Sequence, residues 1–99
     1  MLFRVHVSYL GLVRNVIGQR EEEIEIPAGT TVKELLAKLE EKYGEPFRAS
    51  VFKGRGELRG TAQVCIDDRD ITDLQGLETR LAAKEKITIL VGVYPPEGG

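Results

Sequence analysis

The chain has 99 residues, 41% hydrophobic and 30% charged, the composition of a soluble globular protein whose length sets one domain, residues 1–99, around one core. A net charge of −2 with mixed signs gives no electrostatic case for nucleic-acid binding. No apolar run nears the roughly 20 residues of a membrane span, and a single cysteine, Cys65, excludes an internal disulfide and a cysteine-rich zinc site. The N-terminus lacks the basic start, apolar run and cleavage site of a signal peptide, so the expected location is the cytoplasm.

From Leu2 to Leu10 the sequence alternates, with Phe3, Val5, Val7 and Tyr9 on one side and Arg4, His6 and Ser8 on the other, the period of a half-buried strand. Gly11 ends it. Leu12 to Ile17 predicts a helical turn before Gly18. Arg20 to Pro27 then predicts a second strand with Ile24 and Ile26 inward, paired antiparallel with the first. Glu21-Glu22-Glu23 is read as a solvated strand entry.

After the Pro27-Ala28-Gly29-Thr30 turn, Thr31-Val32-Lys33-Glu34 fits a capping box, with each of the end residues bonding the other's backbone. A helix follows in which Val32, Leu35, Leu36, Leu39 and Tyr43 recur at helical spacing. Gly44 and Pro46 stop it. Phe47 to Thr61 is glycine-rich and reads as an irregular, variable loop, anchored by Val51 and Phe52. Its basic positions Lys53, Arg55 and Arg59 sit among glycines as in a solvated flexible loop rather than a binding patch.

Ala62 to Asp67 predicts a third strand with Val64 and Ile66 inward. Asp67 to Asp70 predicts a tight turn leading to a short extended piece at Ile71, and Leu74, Leu77 and Leu81 a packed turn. The last strand, Lys86 to Tyr94, places Ile87, Ile89, Val91 and Val93 on one face, with Thr88, Leu90, Gly92 and Tyr94 opposite. This order fits an α+β fold: a mixed sheet of about four to five strands with one main helix across one face. The first and last strands, both with strong inward faces, are expected side by side and parallel at its centre.

The final residues carry the chemistry. Pro95 and Pro96 cannot donate to a sheet ladder, so they end pairing and stiffen the exit of a flexible tail, residues 95–99. Gly98 and Gly99 have no Cβ, so this backbone can enter a channel too narrow for other residues. The pair is thus a candidate for threading into another enzyme's active site, although a terminal glycine pair also arises by chance.

Taken together, Ser8-Tyr9-Leu10-Gly11, the Leu12 to Gly18 turn, the Thr31 to Leu36 helix start, the Pro95-Pro96 pair and Gly98-Gly99 resemble the MoaD/ThiS family of ubiquitin-like sulfur carriers. They are nearer the molybdopterin synthase small subunit than the thiamin carrier. The resemblance implies a β-grasp fold and a non-catalytic carrier with no bound cofactor. In such proteins a ubiquitin-activating-type enzyme spends ATP to adenylate the terminal glycine. A thiocarboxylate then forms there and donates sulfur, with molybdenum or tungsten cofactor synthesis as the leading pathway and a molybdopterin synthase large subunit or another sulfur acceptor as a partner.

Carried over, Gly99 is the activated residue, Gly98 its slim neighbour, and Pro95, Pro96 and Glu97 the spacer. One residue, Glu97, stands where the synthase subunits usually have two, which shortens the reach by about 3.5 Å. Leu10, Leu90 and Tyr94, on the sheet face away from the helix, form the expected dock for the activating enzyme. The same activated tail also serves protein modifiers that join target lysines, carriers for tRNA thiolation, or, without activation, an inert β-grasp interaction module.

Other reactive residues have plainer readings. His6, the only histidine, has no serine or cysteine spaced to form a triad with it and reads as a surface strand residue. Cys65 falls on the open face as a bystander thiol. Asp67, Asp68, Asp70 and Asp73 lack the glycine and closing glutamate of a calcium loop, so no metal site is expected.

Overall fold

The computed structural model describes residues 1–54 and 56–92. The opening alternation forms strand β1, Leu2–Gly11, and the next strand, β2, is Glu21–Pro27. They pair antiparallel with Val5 opposite Ile24 and Phe3 opposite Ile26. Because successive side chains alternate, the register that buries Ile24 and Ile26 also buries Val5 and Val7. Between the strands, Leu12–Ile17 forms the short helix α1, which buries Val13 and Ile17.

The main helix, α2, is Val32–Tyr43, and its capping box is complete. The Glu34 amide donates to Thr31 Oγ1 at 3.2 Å, and the Thr31 amide donates to Glu34 Oε1 at 2.9 Å. Val32, Leu35, Leu36 and Leu39 are fully buried and join the inner side chains of the strands in one core.

The segment expected to be an irregular loop over 47–61 is more ordered than its composition suggests. Glu45–Val51 forms helix α3, and Phe52–Lys53 (β3) pairs with Glu57–Leu58 (β4) in a small hairpin. Pro46 stands in the first helical turn, where its missing amide hydrogen costs nothing. Phe47 and Val51, four residues apart, fall on one side and are fully buried. Lys53 therefore belongs to a strand rather than a flexible loop, and Arg59 Nε donates to the Ala49 carbonyl at 2.6 Å. Arg55 lies outside the described residues.

Ala62–Ile66 forms β5 and Arg69–Asp70 the two-residue β6. The extended piece expected at Ile71 is instead a 3-10 turn, Ile71–Asp73, because the Asp70 carboxylate accepts the Thr72 amide at 2.9 Å and starts a helical turn. Ile71 and Leu81 are buried, with Leu74 and Leu77 packed against the core. The last described strand, β7, is Lys86–Val91; Val93 and Tyr94, expected to extend it, lie outside the described residues.

The five-stranded sheet has the order β2-β1-β7-β5-β6. β1 and β7 run parallel, as expected, with Val7 opposite Ile87 and Leu10 opposite Leu90. β5 pairs antiparallel with β7. No helix among the described residues is long and apolar enough to cross a membrane.

Candidate functional site

The strand that leads to the glycine pair is held on both sides. β7 lies between β1 and β5, and beyond its end the Gly92 amide donates to the Thr61 carbonyl at 2.9 Å. At the same rim, β1 turns into α1 at Gly11, whose φ is +74°; a Cβ there would fall 2.2 Å from the Val91 carbonyl oxygen. The β1 backbone thus packs directly against the last residue of β7, a contact only glycine allows. Leu12, Ala49, Arg59, Thr61 and Gly92 line a shallow groove of about 310 Å³ at this rim.

Of the expected docking residues, Leu10 and Leu90 are directly opposite in the β1–β7 register, on the sheet face away from the core. Leu10 is 38% exposed and Leu90 is half-buried. The structure brings these two together, whereas Tyr94, the spacer Pro95, Pro96 and Glu97, and the pair Gly98 and Gly99 lie outside the described residues. Beside Leu10, a depression of about 230 Å³ is lined by Ser8, Arg14, Arg20, Glu21, Lys86 and Thr88, three cations to one carboxylate. Arg14 is oriented there by its Nε, which donates to the Tyr9 carbonyl at 3.0 Å. This basic flank was not anticipated, because its members come from three separated segments.

Of the other titratable groups singled out, His6 and Asp70 have structural work. His6 Nε2 lies 2.5 Å from Glu21 Oε1 and Nδ1 lies 3.7 Å from Glu23 Oε2, so the ring bridges β1 and β2. Cys65 stands opposite Thr88 and Asp70 on the open face. Burial, then the charges of Asp70 and Asp68, push its thiol pKa up, which disfavours the nucleophilic thiolate. Asp70 holds the turn and accepts Gln63 Nε2 at 2.8 Å; the Thr72 backbone bond, with bonds from the Gln63 and Thr72 side chains, holds its pKa down. Among the described residues no three histidine, cysteine or acidic side chains gather to hold a metal ion.

Glu22 corrects the reading of the glutamate run as solvated. Its side chain is 11% exposed and stands opposite Val7 on the inner face. It accepts the Tyr9 hydroxyl at 2.6 Å, the Tyr43 hydroxyl at 2.5 Å and Lys42 Nζ at 2.6 Å. Burial pushes its carboxyl pKa up, but the bonds from Lys42, Tyr43 and Tyr9 and the Lys42 charge outweigh that and hold it below the ordinary value. Extending the Ile24 and Ile26 alternation back by one step would have placed Glu22 inward.

The ThiS family model matches residues 7–95. The solved small archaeal modifier protein 1 of Methanosarcina acetivorans is 27% identical, with 96% of this chain and 98% of that chain covered and a TM-score of 0.77. A chain of the BexX/CysO complex of Amycolatopsis orientalis is 25% identical, with 92% and 98% covered and a TM-score of 0.72. A protein of Pyrococcus furiosus, provisionally assigned as molybdopterin converting factor subunit 1, is 22% identical over 92% and 99% with a TM-score of 0.73. No curated protein sequence matches significantly. The mixed sheet with its parallel central pair and main helix is the ubiquitin-like β-grasp of these proteins.

Proposed function

The chain belongs to the ThiS family, and we propose from this that it is a ubiquitin-like sulfur carrier activated at Gly99, with molybdenum or tungsten cofactor synthesis as its pathway. Carriers of this type are generally non-catalytic, and the chemistry resides in the partner that activates them. A carboxylate is a poor acyl electrophile, so an oxygen of the Gly99 carboxylate attacks the α-phosphorus of ATP in the partner and releases pyrophosphate. Sulfide then attacks the carbonyl carbon and AMP departs, leaving a thiocarboxylate. This chain's part is to be held by its sheet while the tail is threaded. Gly98 and Gly99 pass the narrow channel, Pro95, Pro96 and Glu97 space them from the sheet, and Leu10, Leu90 and Tyr94 dock the adenylating enzyme.

The observation that carries this reading is the family match, which runs from β1 through β7 to Pro95. The central, doubly paired position of β7 supports it, because a tail pulled into a partner needs a strand that does not peel away. Deleting Gly99 tests it: the truncated protein is expected to unfold at the same temperature and to support no ATP–pyrophosphate exchange by its cognate activating enzyme. Undiminished exchange would refute it.

A second reading has its own support in the likeness to a small archaeal modifier protein, at 27% identity over nearly the whole chain. Here the same adenylated Gly99 is passed to the amine of a target lysine. The shortened spacer at Glu97 suits this reading as well, since no fixed depth of insertion into a synthase is required. Peptides in which Gly99 is joined to lysine in digests of the native host would favour it over the carrier.

A further inference from the structure

We propose that the outer edge of β2 is a second docking surface, which takes an extended segment of a partner protein with lysine or arginine at alternate positions, added to the sheet as a new strand. β2 is the last strand in the sheet order, so its outer edge has no strand partner among the described residues. The Tyr9 amide bonds the Arg20 carbonyl at 2.8 Å, and the Ala28 amide bonds the Met1 carbonyl at 2.9 Å. Bonded positions recur at every second residue of an antiparallel ladder. Arg20, Glu22, Ile24, Ile26 and Ala28 therefore turn their backbone groups to β1, and Glu21, Glu23 and Glu25 turn theirs outward.

The three residues that present this free ladder are all glutamates, exposed on the open face. Arg4 lies 3.9 Å from Glu23 and His6 reaches Glu21, while Glu25 makes no ion pair among the described residues. Residues directly opposite across a sheet share a face, so each incoming residue that bonds a glutamate backbone brings its side chain beside that carboxylate. Basic side chains are favoured there and acidic ones repelled. That charge also disfavours a second copy of β2, whose own glutamates would meet these; acidic edges commonly block self-pairing in this way.

The alternate residues of the incoming strand would lie over the other side of β2. There Ile24 and Leu39 floor a groove of about 320 Å³, with Glu23 and Glu25 along its strand edge and Lys38 and Lys42 on its helical rim, so an apolar side chain can reach its floor between the charged rims. The required pattern is thus basic, apolar, basic, apolar: main-chain bonds supply affinity and the side-chain period supplies specificity. β2 is separated from β7 by β1, so a strand added at this edge leaves the pairing of β7 untouched.

The test is an NMR titration of the full isotope-labelled chain with a short peptide alternating lysine and valine. Two control peptides carry either glutamate for every lysine or N-methyl groups on the lysine amides. The lysine peptide is expected to shift the amides of Glu21, Glu23 and Glu25 and the methyls of Leu39. Both controls are expected to bind at least about tenfold more weakly, and Glu23→Lys/Glu25→Lys, less stable because its lysines face His6 and Arg4 but still folded by its amide spectrum, should reverse the charge preference. Equal binding of the N-methylated peptide, shifts centred elsewhere, or no shifts with the lysine peptide in large excess would overturn the proposal.

Discussion

Tyr9 and Glu22 meet on the core side of the β1–β2 pair, where the Tyr9 hydroxyl donates to Glu22 Oε2 at 2.6 Å. Tyr43, at the end of α2, donates to the same oxygen, and its own hydroxyl oxygen accepts Gln19 Nε2 at 2.8 Å. One carboxylate therefore ties the first two strands to the main helix. Glu22→Gln keeps the shape and removes the charge, and is expected to cost about 1–3 kcal/mol. Lys42 is itself half exposed, so Lys42→Ala should cost no more than about 1 kcal/mol. Urea unfolding of the two variants checks the order.

The same cluster sets a pH dependence. Because the folded-state pKa of Glu22 is lowered, its contribution is fully present above the unfolded value, about 4.3, and is lost as pH falls through the folded value. Burial, followed by the bond to Glu22, pushes the Tyr9 pKa far above its ordinary value. Its contribution is present below about pH 10 and is lost as pH rises beyond that. Unfolding midpoints across pH should fall at both ends, and Glu22→Gln should flatten the acid side; an unchanged acid slope would contradict the assignment.

Gly11 and Gly18 both have positive φ, yet their substitution should differ. A Cβ at Gly11 would strike the Val91 backbone at 2.2 Å, whereas one at Gly18 meets nothing within 4 Å. Gly18→Ala should cost about 1 kcal/mol from strain alone, and Gly11→Ala more than about 3 kcal/mol, because two paired strands must separate to admit it. Thermal melts of the two proteins should be far apart.

Leu10 and Leu90 should matter to binding more than to folding. Leu10 is 38% exposed, so Leu10→Glu is expected to change stability by less than about 1 kcal/mol. It should weaken the complex with the activating enzyme by at least about tenfold, measured by calorimetric titration. A collapse of the melting temperature would instead make Leu10 part of the core.

How much of this was legible in the sequence depended on whether one physical requirement acted alone. The alternation in β1 and β7 is the direct imprint of burial on one face, and it foretold their parallel pairing at the sheet centre. The Thr31–Glu34 capping box was readable because its two bonds are local. Helix α3 was not, because Gly44 and Pro46 end one helix and start the next with the same residues. Glu22 was misread because neighbouring glutamates look alike until the strand period is carried through them. The pairing of Leu10 opposite Leu90 followed from strand placement, but the basic flank of Arg14, Arg20 and Lys86 depends on three segments converging.

The most direct test is the intact mass of the protein purified from its native host. The account predicts a population heavier by the difference between sulfur and oxygen, with fragmentation placing the sulfur on Gly99. Protein carrying only an unmodified Gly99 carboxylate, under conditions in which the host is actively making its molybdenum or tungsten cofactor, would contradict it.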